Sequence, residues 1–373
     1  MPIERLIADQ IRKDARRKMV FVGGPRQVGK TTVARRLRSA HETTYLNWDV
    51  AAHRARILEQ DLGATPLLVL DEIHKYRKWR GYLKGVFDDL KAAEQHRDIV
   101  VTGSARLDVY RHGGDSLQGR YHYLRLFPLS VAELGAKGSL ADLVRLGGFP
   151  EPFFGGSEVE AKRWSRDYRS RLVREDLRDL EQIQDLGTLE LMVGRLPALI
   201  GSPLSINALR EDLQIAHKTA SKWLDALERL YGLFRLPPLG GAKIRAVKKE
   251  QKLYLFDWVS VTDAGARFEN VVALHLLKHC AYRQDVAAED LELRYFRDTD
   301  KREVDFVVTE NGAPKWLIEV KLGDQDVSDH LRYLHAKYPK AEAMQLHLNG
   351  KKHYLTPDGI TVGPAERFLL SLS

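Results

Sequence analysis

The chain has 373 residues, 44% hydrophobic and 29% charged, which suits a globular protein of two or three domains. No apolar run approaches the about 18 residues that span a bilayer, segment 1–18 is too charged for a secretory leader, and the single cysteine, Cys280, leaves no disulfide framework or zinc cluster. A cytoplasmic protein with no membrane partner is expected, and its formal charge of +8 favours a polyanionic partner, nucleic acid first.

The first informative element is Met19-Val20-Phe21-Val22, a short apolar strand, followed by Gly24-Pro25-Arg26-Gln27-Val28-Gly29-Lys30-Thr31. That run fits G-x-x-x-x-G-K-[ST], and Thr32 to Leu37 continues as a helix. Strand, glycine loop and helix start in that order place backbone N–H groups around a phosphate. Gly24, Gly29, Lys30, Thr31 and Thr32 are the expected ATP-binding residues. Lys30 would reach the β- and γ-phosphates, and Thr31 would offer its hydroxyl to Mg2+. The bland alternative is a glycine-rich turn without a ligand.

Next, Pro66 to Leu70 is apolar enough for a central parallel strand, and it ends in Asp71-Glu72. Parallel sheets bind ligands at the carboxyl ends of their strands. Asp71 is expected to hold Mg2+ and Glu72 to polarise an attacking water. Strands are predicted near 19–23, 43–47, 66–70, 98–102 and 121–126, with helices between them. After Thr102-Gly103, Ser104 or Thr102 is the candidate phosphate sensor, and the alternative is a plain strand-end turn. Arg120, just before the fifth strand, is read either as a charge-stabilising finger in its own or a neighbouring subunit or as a surface arginine beside a turn.

From 136 to about 240 the pattern is helical. Gly147 to Pro152 reads as a breaker-rich linker, and Trp164 to Gln184 as an amphipathic helix. Pro203 to Glu228 gives helix, tight turn and helix, and Gly232 to Pro237 gives a strand. This pattern resembles a winged helix. His217, Lys218, Thr219, Ser221 and Lys222 would start a recognition helix, or the module packs against protein instead. The loop 240–252 carries Lys243, Arg245, Lys248, Lys249 and Lys252 and reads as a phosphate-contacting arm or a solvated connector.

Beyond 253 a second α/β unit is predicted. Phe268 to Leu277 is a helix with Glu269 near its start. Strands cover 293–297, 302–308 and 316–321, and Asn311-Gly312 marks a hairpin. Alternation puts Glu319 and Lys321 on one strand face, where Asp305 of the paired strand would meet them. Converging carboxylates make an oxygen-rich Mg2+ or Mn2+ site, which Lys321 would assist. The bland alternative is ordinary exposed alternation.

These residues carry a resemblance over nearly the whole chain. The N-terminal half resembles an AAA+ ATPase of the subgroup with a Leu70-Asp71-Glu72-Ile73 strand, and Trp79 to Asp88 and Leu117 to Arg120 fit that subgroup. The C-terminal half looks like the uncharacterised domain usually fused to it, through Phe268-Glu269-Asn270, Glu303-Val304-Asp305 and Ile318-Glu319-Val320-Lys321. That domain is similar to the PD-(D/E)XK nuclease fold, which includes archaeal-type Holliday junction resolvases. The resemblance implies ATP and Mg2+ at Lys30, Thr31, Asp71 and Glu72, and a nuclease-like set of Glu269, Asp305, Glu319 and Lys321. It departs at Ser104-Ala105, where the subgroup often has two serines.

The expected fold class is α/β. It comprises an AAA+ parallel sheet over 1–135, a helical lid and winged helix over 136–240, and a restriction-endonuclease-like domain over 241–373. The expected function is ATP-driven processing of DNA, branched DNA included, by a homo-oligomer for which a hexameric ring is favoured. The alternatives are a regulatory ATPase switch with a non-catalytic C-terminal module, and a toxin–antitoxin or phage-defence component.

Overall fold

The structure is a computed structural model and describes residues 3–103, 117–177, 185–240 and 251–372. The chain divides into two compact units, Met1–Pro128 and Leu129–Ser373.

The first unit is built on five strands: β1 (Met19–Gly23), β2 (Thr43–Asn47), β3 (Leu67–Asp71), β4 (Asp98–Thr102) and β5 (Tyr121–Arg125). All pairings are parallel, in the order β2-β3-β4-β1-β5. Every residue of β1, β3 and β4 is buried, which is why these strands read as unbroken apolar runs. Their core includes Met19, Phe21, Leu46, Ile57, Leu68, Leu70, Ile99 and Val101. The intervening helices Lys30–Arg35, Ala51–Leu58 and Trp79–Ala92 supply the crossovers a parallel sheet needs. The helix Ala8–Ala15, not anticipated from the sequence, precedes β1.

The second unit begins with short helices. Gly147 to Pro152 is no extended linker: a helix Leu140–Leu146 ends at Gly147, φ 85°, and Pro150 opens the helix Pro150–Gly155. Proline suits a first helical turn, whose N–H would be unpaired anyway. The expected Trp164 to Gln184 helix is Glu158–Arg171, continued by a wider turn over Leu172–Leu177. The expected helix, tight turn and helix are present. Helices Ile206–Leu213 and His217–Arg229 flank a turn at Gln214, φ 54°, and strands β6 (Leu233–Leu236) and β7 (Lys252–Leu255) pair antiparallel. That ribbon runs through the boundary expected at 240. Lys243, Arg245, Lys248 and Lys249 lie outside the described residues.

The rest is a mixed six-stranded sheet made of β8 (Leu291–Arg297), β9 (Glu303–Glu310), β10 (Ala313–Lys321), β11 (Glu342–His347), β12 (Tyr354–Leu355) and β13 (Ile360–Pro364), in the order β12-β13-β11-β10-β9-β8. Asn311 and Gly312, with φ 51° and 78°, close the β9–β10 hairpin as expected. The long helix Ala264–Ala287 and the helix Asp329–Lys337 pack on this sheet. Among the described residues no helix is long and apolar enough to cross a membrane.

At Gly24, φ is +138° and a Cβ would stand 2.2 Å from the Leu126 carbonyl oxygen. Both backbone conformation and space therefore demand glycine. Gly24→Ala is expected to destabilise the first unit by about 1–3 kcal/mol, read as a lower urea midpoint. An unchanged midpoint contradicts this packing.

Candidate nucleotide site and carboxylate centre

The loop Gly24–Gly29 leaves the carboxyl end of β1 in a tight curve, with Gln27 at φ 61° and Gly29 at φ 100°. The Leu126 amide donates to Gly23 O at 2.9 Å. Arg5, only 6% exposed, donates to Val28 O at 2.9 Å and to the Phe127 carbonyl. The loop is thus strapped from outside the motif. The sequence reading missed Arg5, because nothing local distinguishes it from the other N-terminal arginines.

Within the loop Lys30 is buried, and its Nζ donates to Gly24 O at 2.9 Å and Pro25 O at 2.6 Å. The Thr31 hydroxyl donates to Asp71 Oδ2 at 2.9 Å. Three further donors meet the same carboxylate: Tyr45 OH at 2.8 Å, Asn47 Nδ2 at 3.4 Å and Thr102 Oγ1 at 2.6 Å. Thr102 is therefore committed to Asp71 rather than poised as a sensor, and Ser104 lies outside the described residues. Tyr45 and Asn47 were also missed. Their role appears only when β2 pairs with β3 and sets Asn47 opposite Asp71. Burial pushes the Tyr45 hydroxyl up to about 12, so it stays a donor at neutral pH. Thr32, one residue further on, is exposed.

Glu72 stands next to this group in the left-handed region, φ 56°, and its amide donates to Thr102 O at 2.9 Å. Its carboxylate lies 3.3 Å from Lys75 Nζ and 3.7 Å from His74 Nε2. Burial raises its pKa, and Lys75 opposes that without cancelling it. A glycine cradle, a lysine against the loop carbonyls and a hydroxyl–carboxylate pair together fit a Mg2+-bound triphosphate.

Arg120 joins no part of this group. It precedes β5, whose first residue pairs with Met19 at the start of β1, so it lies at the sheet end away from the loop. There its Nε and Nη2 donate to Asp88 at 2.8 and 2.9 Å. That end of the sheet also holds a cavity of about 300 Å³ lined by Arg16, Arg17, Lys18, Lys91, His96 and Arg97, with Phe87 and Leu90 beside them. Among the described residues no carboxylate lines it.

In the second unit the expected acidic residues do come together. Glu269 stands on the helix Ala264–Ala287, Asp305 on β9, and Glu319 with Lys321 on β10. Asp305 Oδ2 accepts the Val320 amide at 2.9 Å, and Lys321 Nζ donates to Glu319 Oε1 at 2.8 Å. Two members were not foreseen. Glu303 joins from β9, and Lys252 of β7 enters as a buried ammonium, 2.7 Å from Glu303, 3.3 Å from Glu269 and 3.6 Å from Asp305. Lys252 is therefore no solvated arm residue. Tyr254, also on β7, donates to Glu269 Oε1 at 2.7 Å. A metal fits poorly among these carboxylates, since Lys252 already occupies their focus.

The comparisons with known proteins bear on the two units differently. A family model described as an AAA domain matches residues 16–135. The first unit is thus similar to an AAA domain over about a third of the chain. Two domains of unknown function match beyond it, DUF8612 over 137–259 and DUF4143 over 264–368. The junction between them falls after the β6–β7 ribbon. No curated protein matches the chain. Among solved structures, the Thermotoga maritima RuvB Holliday junction branch migration motor is 20% identical, with a TM-score of 0.34, over 63% of this chain and 90% of that one. The Aeropyrum pernix ORC1 protein in complex with DNA is 14% identical, with a TM-score of 0.34, over 73% and 92%. The replication initiator DnaA bound to AMPPCP and single-stranded DNA is 13% identical, with a TM-score of 0.29, over 60% and 85%. Superpositions this loose carry no argument about mechanism or partner.

Burial, and then the Asp305 carboxylate, push both Glu269 and Glu319 up to about 7. An unfolded glutamate titrates near about 4.3. Between those values the folded chain keeps protons that the unfolded chain has lost, so stability falls as pH rises through that window and levels off above it. Urea midpoints of the second unit should decline from pH 5 to pH 8, and Glu319→Gln should flatten part of the decline. An unaltered slope in that variant contradicts the assignment.

Proposed function

We propose that this protein is an ATPase that couples hydrolysis to the binding and remodelling of DNA. The observation that carries the first half is the meeting of Thr31 and Asp71 at 2.9 Å, beside Lys30 and Glu72, at the carboxyl ends of parallel strands. Lys30 leaves the Gly24 and Pro25 carbonyls to pair with the β- and γ-phosphates, while the loop amides hold the phosphate chain. Thr31 and Asp71 are the residues that would hold Mg2+, which would supply charge neutralisation for the phosphates. Tyr45, Asn47 and Thr102 keep Asp71 oriented. Glu72, with its raised pKa, accepts a proton from the attacking water as the water oxygen bonds to the γ-phosphorus and the bond from that phosphorus to the β–γ bridging oxygen breaks, releasing ADP and phosphate. Lys75 competes for the Glu72 carboxylate and holds it when no substrate draws it away.

Support for the nucleic-acid half is electrostatic. The cavity lined by Arg16, Arg17, Lys18, Lys91 and Arg97 gathers cations around an aromatic ring, suited to a phosphodiester backbone. His217, Lys218 and Lys222 are exposed at the start of the second winged-helix helix, as a groove-facing helix requires. The nuclease-like resemblance of the C-terminal unit enters this reading as a DNA-binding surface. A ring of subunits, a hexamer by preference, would give Arg120 a γ-phosphate to face in trans, released from Asp88.

Lys30→Ala is expected to lose nucleotide retention. Glu72→Gln should retain nucleotide while turnover drops by about 10²-fold or more. Normal turnover in Glu72→Gln removes the proposed base. Arg120→Ala should slow turnover and leave nucleotide affinity unchanged, if the ring forms; sedimentation with ATP checks assembly alongside. The double variant Arg17→Glu/Lys91→Glu should weaken duplex binding and reduce the slope of log K against log salt by about 2. An unchanged slope excludes this cavity as the contact.

A further inference from the structure

The carboxylates of the second unit carry a cation of their own. Lys252 is supplied by β7, a strand of the winged-helix ribbon, and its side chain is 1% exposed. Glu303, Glu269 and Asp305 surround its ammonium at 2.7, 3.3 and 3.6 Å. The Tyr295 ring centre lies 5.5 Å from Nζ, placing an electron-rich face against the same charge. These carboxylates come from two elements, the helix Ala264–Ala287 and strand β9, and β10 adds the Val320 amide that holds Asp305. An octahedral dication needs lone pairs from such groups at about 2.0–2.2 Å and a volume free of other charge. Here the lone pairs are directed at an ammonium instead. Among the described residues, no group of three His, Cys, Asp or Glu side chains could hold a metal ion.

We propose that Lys252 is the resident cation of this centre, standing where a divalent metal would otherwise sit, so that the centre takes up no divalent metal while Lys252 is in place. The inference is independent of the DNA reading, since it concerns only what neutralises the buried acids. It goes against the Mg2+ or Mn2+ site expected at Glu269, Asp305 and Glu319. Its physical basis is that a buried carboxylate cluster must be paired or protonated. Lys252 pairs Glu269, Glu303 and Asp305, and Lys321 pairs one oxygen of Glu319. The remaining Glu319 oxygen, Oε2, is buried without a hydrogen-bond partner among the described residues. That oxygen is where an ion would first show itself. A cation that is part of the chain also makes any contact between this unit and a polyanion insensitive to chelators.

The test is a Mn2+ titration followed by electron paramagnetic resonance. It uses the full chain without nucleotide in an Asp71→Asn background, which removes the carboxylate of the other site. With Lys252 present, no binding should appear up to about 1 mM, the weak end of biological divalent sites. Lys252→Met should gain about one bound Mn2+ per chain, lost again when Asp305→Asn is added. Mn2+ uptake with Lys252 intact that Asp305→Asn abolishes overturns the proposal. So does a folded Lys252→Met chain that gains no site. If Lys252→Met fails to melt cooperatively, Lys252→Arg takes its place. It keeps the charge and should remain folded and free of Mn2+, and metal uptake by that variant counts against the proposal as strongly.

Discussion

Asp71 is the carboxylate on which the nucleotide unit is assembled. Four donors reach it, from the helix after the phosphate loop, from two positions on β2 and from the end of β4. None of these residues is near Asp71 in sequence. The bonds are possible only when β2 and β4 flank β3 in the observed register, with Asn47 and Thr102 both opposite Asp71. A buried acid so surrounded keeps its orientation, and its oxygens have hydrogen-bond donors in place of water. It also holds the Thr31 hydroxyl and stands next in the chain to Glu72.

The second unit solves the same problem differently. Its acids are also buried, but their counter-charge is covalent. Lys252 links the winged-helix ribbon to the mixed sheet, so β6–β7 and the C-terminal strands share one electrostatic centre. Gly201 marks how tightly that centre is enclosed: with φ 75°, a Cβ there would lie 2.6 Å from a Glu269 oxygen. The two family models meet after β7, inside one compact unit.

Much of this was legible in the sequence. The five strands of the first sheet appear within a residue or so of their expected places, because fully buried parallel strands are apolar runs bounded by polar punctuation. The phosphate loop with Asp71 and Glu72 was legible for the same reason, since its chemistry is local or sits at a strand end. The hairpin at Asn311-Gly312 and the convergence of Asp305 with Glu319 followed from turn chemistry and period-two alternation. What failed was non-local. Lys252 looks like one more lysine in a basic stretch, and only tertiary pairing reveals that it is buried. Arg5, Tyr45 and Asn47 acquire their roles from strand register. Gly147 to Pro152 looked like a linker because glycine and proline signal breaks, yet proline also starts helices. The last strands, β11 to β13, and the helix Asp329–Lys337 were not placed from the sequence.

The most direct measurement is the binding of a fluorescent ATP analogue to the full chain, with and without Mg2+, compared with Asp71→Asn. The account predicts that the natural chain retains the nucleotide more tightly with Mg2+ and that Asp71→Asn loses this dependence while remaining folded. A natural chain that retains no nucleotide, or an Asp71→Asn chain whose Mg2+ dependence is intact, contradicts it.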